Sequence, residues 1–449
     1  MMTLSEFAAR CGGALSSGLA EKSLTGFATD NREVQPGQVF LAIKGANVDG
    51  HDYASQAVQA GAVAVLSEQD LAVPMIRVAN VVGALASFAK SKRAEFSGPV
   101  LGITGSNGKT SCKEFAAAAL SPLGEVIKNP GNRNSEITSP LVWFDQSPQT
   151  QAMVIEMAMR GMGQIDHLAR MHEPTLAIIT MIGTAHLEMV GSREGIAQAK
   201  GEILDHLRPG GKAILWREDD FYAQLAQRAP DSISFGFSAD ADFQITGYRA
   251  LGWSESEMLG RFHGESFRAV LPTVGKHQAL NAAAALVAAV HCGVRLEDAA
   301  AALVKAELPP MRMEVRHWRE KTFLLDNYNA SPDSTVAALR TLAEIEPGKR
   351  KVAIIGEMKE LGELSESGHR MVGKAVAQTT PDALVLFGEQ TKFVQEEAIG
   401  LGLPANRICV ARSLEDITQA ILALPDQEVV LIKGSRALRM EDALEGLPE

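Results

Sequence analysis

Val100-Leu-Gly-Ile-Thr-Gly-Ser-Asn-Gly-Lys-Thr-Ser111 is the stretch on which the fold turns. Its first five residues form a short apolar run, suited to a strand buried on both faces of a parallel sheet. A glycine-rich turn follows, and Ser111 to Leu120 reads as a helix stopped by Pro122. Strand, glycine turn and helix in that order bind phosphate at the carboxyl edge of an open α/β sheet. Thr104, Gly105, Ser106, Asn107 and Gly108 would wrap the phosphates, with Ser111 opening the helix. Their amides and the helix N-terminus supply positive potential. Lys109 can reach the terminal phosphates, and the Thr110 hydroxyl can ligate Mg²⁺. The general pattern places glycine at 103; here 103 is Ile and Gly102 stands one place early, so this is a P-loop variant. The competing reading is a glycine-rich surface turn, and Lys-Thr set between strand and helix argues against it.

Further apolar runs continue the rhythm at Met153–Glu156, Leu176–Ile179 and Lys212–Trp216, with helix-like segments between. The alternation predicts a doubly wound parallel sheet. Ahead of it, Gln38–Lys44 and Ala62–Leu66 read as short strands around a helix-like Ala54–Ala60, and Pro99 after Ser97-Gly98 marks a boundary. Pro309-Pro310 marks a second. Beyond it the βα rhythm restarts at Phe323–Asp326, Val352–Ile355, Ala383–Phe387 and Val429–Ile432. That second sheet lacks G-x-G-x-x-G, so a dinucleotide is not indicated. The expected fold class is α/β in three domains. Residues 1–98 form a small α/β unit, 99–308 a central P-loop parallel-sheet unit, and 309–449 a Rossmann-like unit without the dinucleotide fingerprint.

Length agrees: 449 residues at ~150 per domain give about three. Hydrophobic residues are 46% and charged residues 22%, which excludes disorder and coiled coil. The net charge of 43 − 54 = −11 disfavours a bulk nucleic-acid or anionic-membrane binder, since phosphate affinity comes from basic surface. Anionic substrates must therefore meet a local cluster of donors. The longest apolar stretch, after Asn281, falls short of the ~20 residues that span a bilayer. Met1 to Gly13 carries Glu6 and no basic segment, unlike a signal peptide. The four cysteines are scattered without metal-pair or disulfide spacing, so a reducing cytoplasm is expected.

Other positions carry weaker signals. Glu156 ends an apolar run beside the P-loop, where a carboxylate suits Mg²⁺; a solvated strand-end acid is the alternative. His186 follows the third strand and alone is undecided between structural and ligand roles. Lys200, on a helical pattern, reads as a surface lysine. Gly275-Lys-His-Gln-Ala-Leu-Asn281 opens an alanine-rich helix, and its Asn281 could read an adenine edge, or simply cap or pack. Asp326-Asn-Tyr-Asn-Ala-Ser-Pro-Asp-Ser334 follows a strand at a carboxyl edge, where a ligand segment and a plain loop are equally admissible.

Together these segments resemble the Mur ligases, the ATP-dependent amide ligases of peptidoglycan precursor synthesis. Thr104–Thr110 looks like the family P-loop, departure included. Ile182-Gly-Thr-Ala-His-Leu-Glu188 and Ala199-Lys-Gly-Glu-Ile203 look like central-domain motifs. Asp326–Ser334, and Gly356-Glu-Met-Lys-Glu-Leu-Gly-Glu363 followed by His369, resemble the members that add D-alanyl-D-alanine to UDP-N-acetylmuramoyl-tripeptide. Lys433-Gly-Ser-Arg436 fits the final strand. Thr29, Asp30, Asn31, Arg32, Lys44, Gly45, Asp49, Gly50 and His51 fit a UDP-binding domain. The resemblance implies a cytoplasmic, monomeric ligase serving cell-wall synthesis, and so cell shape and division. Its cofactor would be Mg²⁺, as two ions, with ATP. Thr110, Glu156 and His186 would hold Mg²⁺, and Lys200 matches the lysine that the family carbamylates. Asn281 with His277 would contact adenine, Arg312 the γ-phosphate and Asp326 the ribose. Lys109, Lys200, His186 and Arg312 form the implied catalytic set. Asn134, Ser135, Tyr328, Asn329 and Ser331 would lie along the peptide path.

Four positions depart from the family pattern: Ser135 where a second Asn is usual, Thr138 for Gly, Gln164 for Glu and Ser331 for Asn. The DNPR-like sequence of the preceding ligase is absent. A folylpolyglutamate- or cyanophycin-type amide ligase and a non-catalytic nucleotide-binding protein are the rival readings. With Lys109 in the second unit and Arg312 and Asp326 at or beyond its far boundary, the third unit is expected to close onto the second.

Overall fold

The structure, a computed structural model, describes residues 2–45, 48–185 and 187–448. It contains three sheets. The first has five strands, and its core strands Gly26–Ala28, Gln38–Leu41, Ala64–Ser67 and Met75–Arg77 pair in parallel. The central sheet has nine strands and the third has six. The third is parallel except for its edge strand, Glu314–Trp318, which pairs antiparallel with Lys321–Leu325.

The apolar run Val100–Thr104 is a strand with those bounds, buried throughout. It lies between Thr150–Glu156 and Leu176–Ile179, parallel to both. The chain leaves it on one side and later returns on the other, which makes a topological switch point. In open sheets such points place ligands at the strands' carboxyl ends. The three strand ends carry the glycine loop, Glu156 and Thr180.

Side chains alternate across this sheet as strand geometry requires. Val100, Met153 and Ile155 join one core, and Leu101, Ile103, Ala152 and Val154 join the other. The alanine-rich helix Lys276–His291 packs in the second core, where small side chains allow close approach to the P-loop helix Lys109–Leu120. The first core runs without a break into the five-stranded unit through Phe7, Phe88, Phe96 and Trp143.

One feature of the central sheet departs from expectation. Phe243–Ala250, Ser256–Phe262 and Glu265–Leu271 form an antiparallel extension. Their apolar residues alternate with polar ones, as in strands with one exposed face, so they form no continuous apolar run. The P-loop helix also begins two residues earlier than read, at Lys109.

Candidate active site

Two glycines shape the loop. Gly105 has φ +147°, and a Cβ there would lie 1.8 Å from the Thr180 hydroxyl oxygen. Gly108 has φ +83°, and a Cβ there would lie 2.4 Å from Asn281 Oδ1. Neither position admits a side chain, so the backbone itself faces the space beyond. Thr180 locks the loop by donating from Oγ1 to the Asn107 carbonyl at 2.6 Å. Nothing in the spacing of Thr180 marks that role in the sequence.

Lys109 folds back along the loop and donates to the Gly105 and Ser106 carbonyls at 2.8 and 3.3 Å. Burial lowers its proton affinity, Glu156 opposes that, and the Arg312 charge adds to it. An entering phosphate would reverse the balance. Thr110 is buried, and its hydroxyl oxygen accepts from Arg312 Nη2 at 3.1 Å. Arg312 also stacks over Tyr328, with its guanidinium carbon 4.4 Å from the ring centroid.

Glu156 is 2% exposed at the end of its strand. The Asn129 carboxamide clamps its backbone, accepting from Glu156 N at 2.9 Å and donating to Glu156 O at 3.1 Å. Asn134 Nδ2 donates to Glu156 Oε1 at 2.7 Å. Oε2 is buried without a hydrogen-bond partner among the described residues. Among those residues that oxygen has only the Lys113 ammonium opposite it, at 3.8 Å, and Glu156 and Thr110 line the same cavity; a carboxylate and a hydroxyl there are hard-oxygen donors that fit Mg²⁺. Among the described residues no group of three or more His, Cys, Asp or Glu gathers. Mg²⁺ would therefore need phosphate oxygens or another donor to complete its shell. His186 lies outside the described residues.

Lys200 is not the surface lysine that its helical pattern predicts: it is 1% exposed. Burial, and secondarily the Lys109 charge, pushes its proton affinity well down. It sits behind the wall of the site rather than on it.

The third sheet supplies the opposite wall. Ser331 caps the helix Pro332–Glu344 in a capping box and donates from Oγ to Asn107 Oδ1 at 3.2 Å. Asp333 Oδ2 accepts from Thr184 N and Oγ1 at 2.9 and 2.8 Å. The Asp326 carboxylate is held by Lys433 Nζ at 2.7 Å and by Met313 N at 3.2 Å. His369 is fully buried and accepts from Met358 N at 3.0 Å, shaping the loop that presents Lys359 to the site.

These walls enclose a cavity of about 1130 Å³. It brings together Lys109, Thr110, Glu156, His277, Asn281, Arg312 and Asp326 with Asn134, Ser135, Tyr328, Asn329 and Ser331. Thr29–Arg32, Lys44, Gly45 and Asp49–His51 do not line it; they lie in the five-stranded unit. There Asp30 accepts from Arg32, and Asp49 Oδ1 lies 2.6 Å from His51 Nδ1. Two of the departing residues explain each other. The Ser135 and Thr138 hydroxyls lie 3.0 Å apart, and each accepts from the other residue's backbone N–H. Gln164 Oε1 accepts from Arg160 N and Gly161 N at 2.6 and 3.2 Å.

Comparison with known proteins matches three family descriptions to the chain. Residues 23–119 match the Mur ligase family catalytic domain, 103–289 the Mur ligase middle domain and 311–436 the Mur ligase glutamate ligase domain. A Bacillus subtilis UDP-N-acetylmuramoyl-tripeptide--D-alanyl-D-alanine ligase is 32% identical over 431 residues, covering 94% of this chain and 93% of that one. The chain belongs to the Mur ligase family. Among solved Mur ligases, MurF from Acinetobacter baumannii superposes with a TM-score of 0.89 at 28% identity, covering 99% of this chain and 98% of that one. MurF from Thermotoga maritima, solved in complex with ADP, gives 0.82 at 29% identity, covering 94% and 96%. The α/β fold in three domains is thus that of the Mur ligases. No helix among the described residues is long and apolar enough to cross a membrane.

Proposed function

We propose that this chain is the ATP-dependent ligase that joins D-alanyl-D-alanine to UDP-N-acetylmuramoyl-tripeptide, forming the pentapeptide precursor of peptidoglycan and releasing ADP and phosphate. The observation that carries it is one cavity walled by the P-loop, by the Asn129–Ser135 loop and by the third sheet, with Arg312 on Thr110. The near full-length likeness to ligases of that name supports it over a folylpolyglutamate- or cyanophycin-type ligase and over a non-catalytic nucleotide binder.

The tripeptide's terminal carboxylate attacks the γ-phosphorus of ATP, and ADP leaves. The D-alanyl-D-alanine amine then attacks the acyl-phosphate carbonyl, and phosphate leaves. No protein nucleophile is needed. Catalysis is the positioning of two anions and neutralisation of their repulsion. Lys109 and Arg312 supply fixed positive charge from opposite walls. Bound Mg²⁺ would supply further neutralisation, held by Thr110 and Glu156, with His186 at a second ion. Lys200, kept neutral by burial, would add CO₂ at Nζ and lose a proton. The carbamate so formed turns a repelled cation into a carboxylate. Asn281 and His277 would meet adenine, and Asp326 the ribose.

The three units divide the work. Residues 1–98 hold the UDP-sugar through Thr29–Arg32, Lys44, Gly45 and Asp49–His51; 99–308 hold ATP; 309–449 close the site. The protein acts as a cytoplasmic monomer. The test is ATP-dependent ligation of D-alanyl-D-alanine to the diaminopimelate and lysine UDP-tripeptides, read by mass spectrometry. A pentapeptide product with stoichiometric phosphate is expected from one of them. Phosphate release without either substrate, or glutamate addition to a folate, would overturn the reading.

A further inference from the structure

Lys113 is the largest buried charge near the site that the mechanism above leaves unused. It stands one helical turn beyond Lys109 and is 0% exposed. A residue four places on shares the helix face. Lys109 therefore serves the glycine loop, while Lys113 faces the loop after the edge strand Glu125–Lys128. Its ammonium donates to the Asn129 carbonyl at 2.8 Å and the Gly131 carbonyl at 2.7 Å. Two carboxylates complete its surroundings, with Glu114 Oε1 at 3.5 Å and Glu156 Oε2 at 3.8 Å. Two carbonyls meet two of its three donors and two carboxylates counter its charge, which offsets the cost of burying it.

The loop it grips is the acceptor wall. Asn132, Asn134, Ser135 and Glu136 line the cavity immediately after the two tethered carbonyls. Asn134 reaches back to Glu156 Oε1, the carboxylate whose other oxygen faces Lys113. One ammonium therefore fixes both the start of the acceptor loop and the charge balance of Glu156 from behind, without reaching the cavity.

We propose that Lys113 is a positioning residue that sets the 129–136 loop for the UDP-tripeptide and holds Glu156 in register with it, while touching neither the glycine loop nor the residues that meet the nucleotide itself, so that metal-free ADP binds as before. A lysine that only stabilised the fold would weaken both substrates together. This rests on the ligase reading for its substrate but not for its structural claim. The experiment compares the full-length chain with Lys113→Met in three measurements: ADP affinity without Mg²⁺, steady-state kinetics with UDP-tripeptide, and backbone hydrogen exchange without ligands. Expected for the variant are a KM for UDP-tripeptide raised about tenfold or more and an ADP Kd within about twofold. Exchange across 129–136 should be at least about fivefold faster, with the P-loop helix unchanged. Unaltered KM and unaltered loop exchange would overturn the proposal, as would ADP and UDP-tripeptide affinities falling in step. Should Lys113→Met fail to fold, Lys113→Gln, which keeps a donor nitrogen but no charge, must show the same split in smaller degree; its absence also overturns the proposal. If the wild-type chain ligates nothing, the ligase reading falls, and the exchange comparison still decides the role of Lys113.

Discussion

Lys109 and Lys200 are two amines whose burial works against their charge, and they answer it differently. Lys109 rests on two loop carbonyls and waits for anions. Lys200 has no ion-pair partner among the described residues, so neutrality is its cheaper state. Replacing Lys109 by Ala should lower kcat/KM about 10³-fold, the scale of losing one preorganised charge contact, with the melting temperature kept. Phosphate release and thermal unfolding measure the two, and near-normal turnover would dismiss the P-loop assignment. Lys200→Ala should be nearly inactive, and formate, acetate or propionate should restore part of the activity, because the emptied buried site accepts a small carboxylate in place of the carbamate. Full activity without added acid would remove the carbamate role.

At the scale of elements, the glycine loop was legible because its chemistry is local: strand, turn and helix lie within twenty residues of chain. The strands Val100–Thr104, Leu176–Ile179, Lys212–Trp216 and Ala383–Phe387 have the bounds their apolar runs predict. The antiparallel extension did not announce itself, since half-exposed strands alternate. Neither did the burial of Lys113 and Lys200, nor the pairing of Asp333 with Thr184. Each depends on carbonyls, helices or loops outside its own element, which no pattern within the element encodes. The resemblance drew the site residues together, while their contacts needed the fold. Gly108 joins both levels, for its positive φ is local and its contact with Asn281 is not. Gly108→Ala should therefore combine backbone strain of about 1–2 kcal/mol with displacement of Asn281. ADP binding should weaken about tenfold or more, and unfolding should shift by only a few degrees. A calorimetric ADP Kd equal to wild type would contradict this account of the loop.

Across the whole molecule, the three units are joined by unlike means. The third meets the central one through polar contacts at the cavity, Ser331 to Asn107 and Asp333 to Thr184, and through Val274 and Trp253, which pack on the third unit's own core. So small an apolar patch, with polar contacts around it, is what the proposed closure of the third unit onto the second would need. The first and central units instead share a continuous apolar core sealed by a buried polar knot. Arg93, on the helix Val81–Glu95, donates to the His172 and Glu173 carbonyls at 3.0 and 3.2 Å. The His172 ring is 0% exposed; it accepts from Trp143 Nε1 at Nδ1, 2.9 Å away, and its Nε2 lies 2.9 Å from the Ser139 hydroxyl. The tryptophan can only donate, so Nδ1 must stay unprotonated and the proton sits on Nε2. Burial first, then the Arg93 charge, depresses the ring's pKa from 6.5 to about 3. A base whose folded pKa is depressed contributes stability in full above its unfolded pKa and loses it as pH falls toward the folded one. The window is therefore pH 6.5 down to about 3. Between pH 7.5 and pH 5 this one ring should withdraw about 2 kcal/mol from the unfolding free energy. His172→Gln can keep both hydrogen bonds and does not titrate. Urea unfolding at the two pH values should show wild type losing about 2 kcal/mol more than the variant, and equal losses would mean that the ring is not held neutral at this junction.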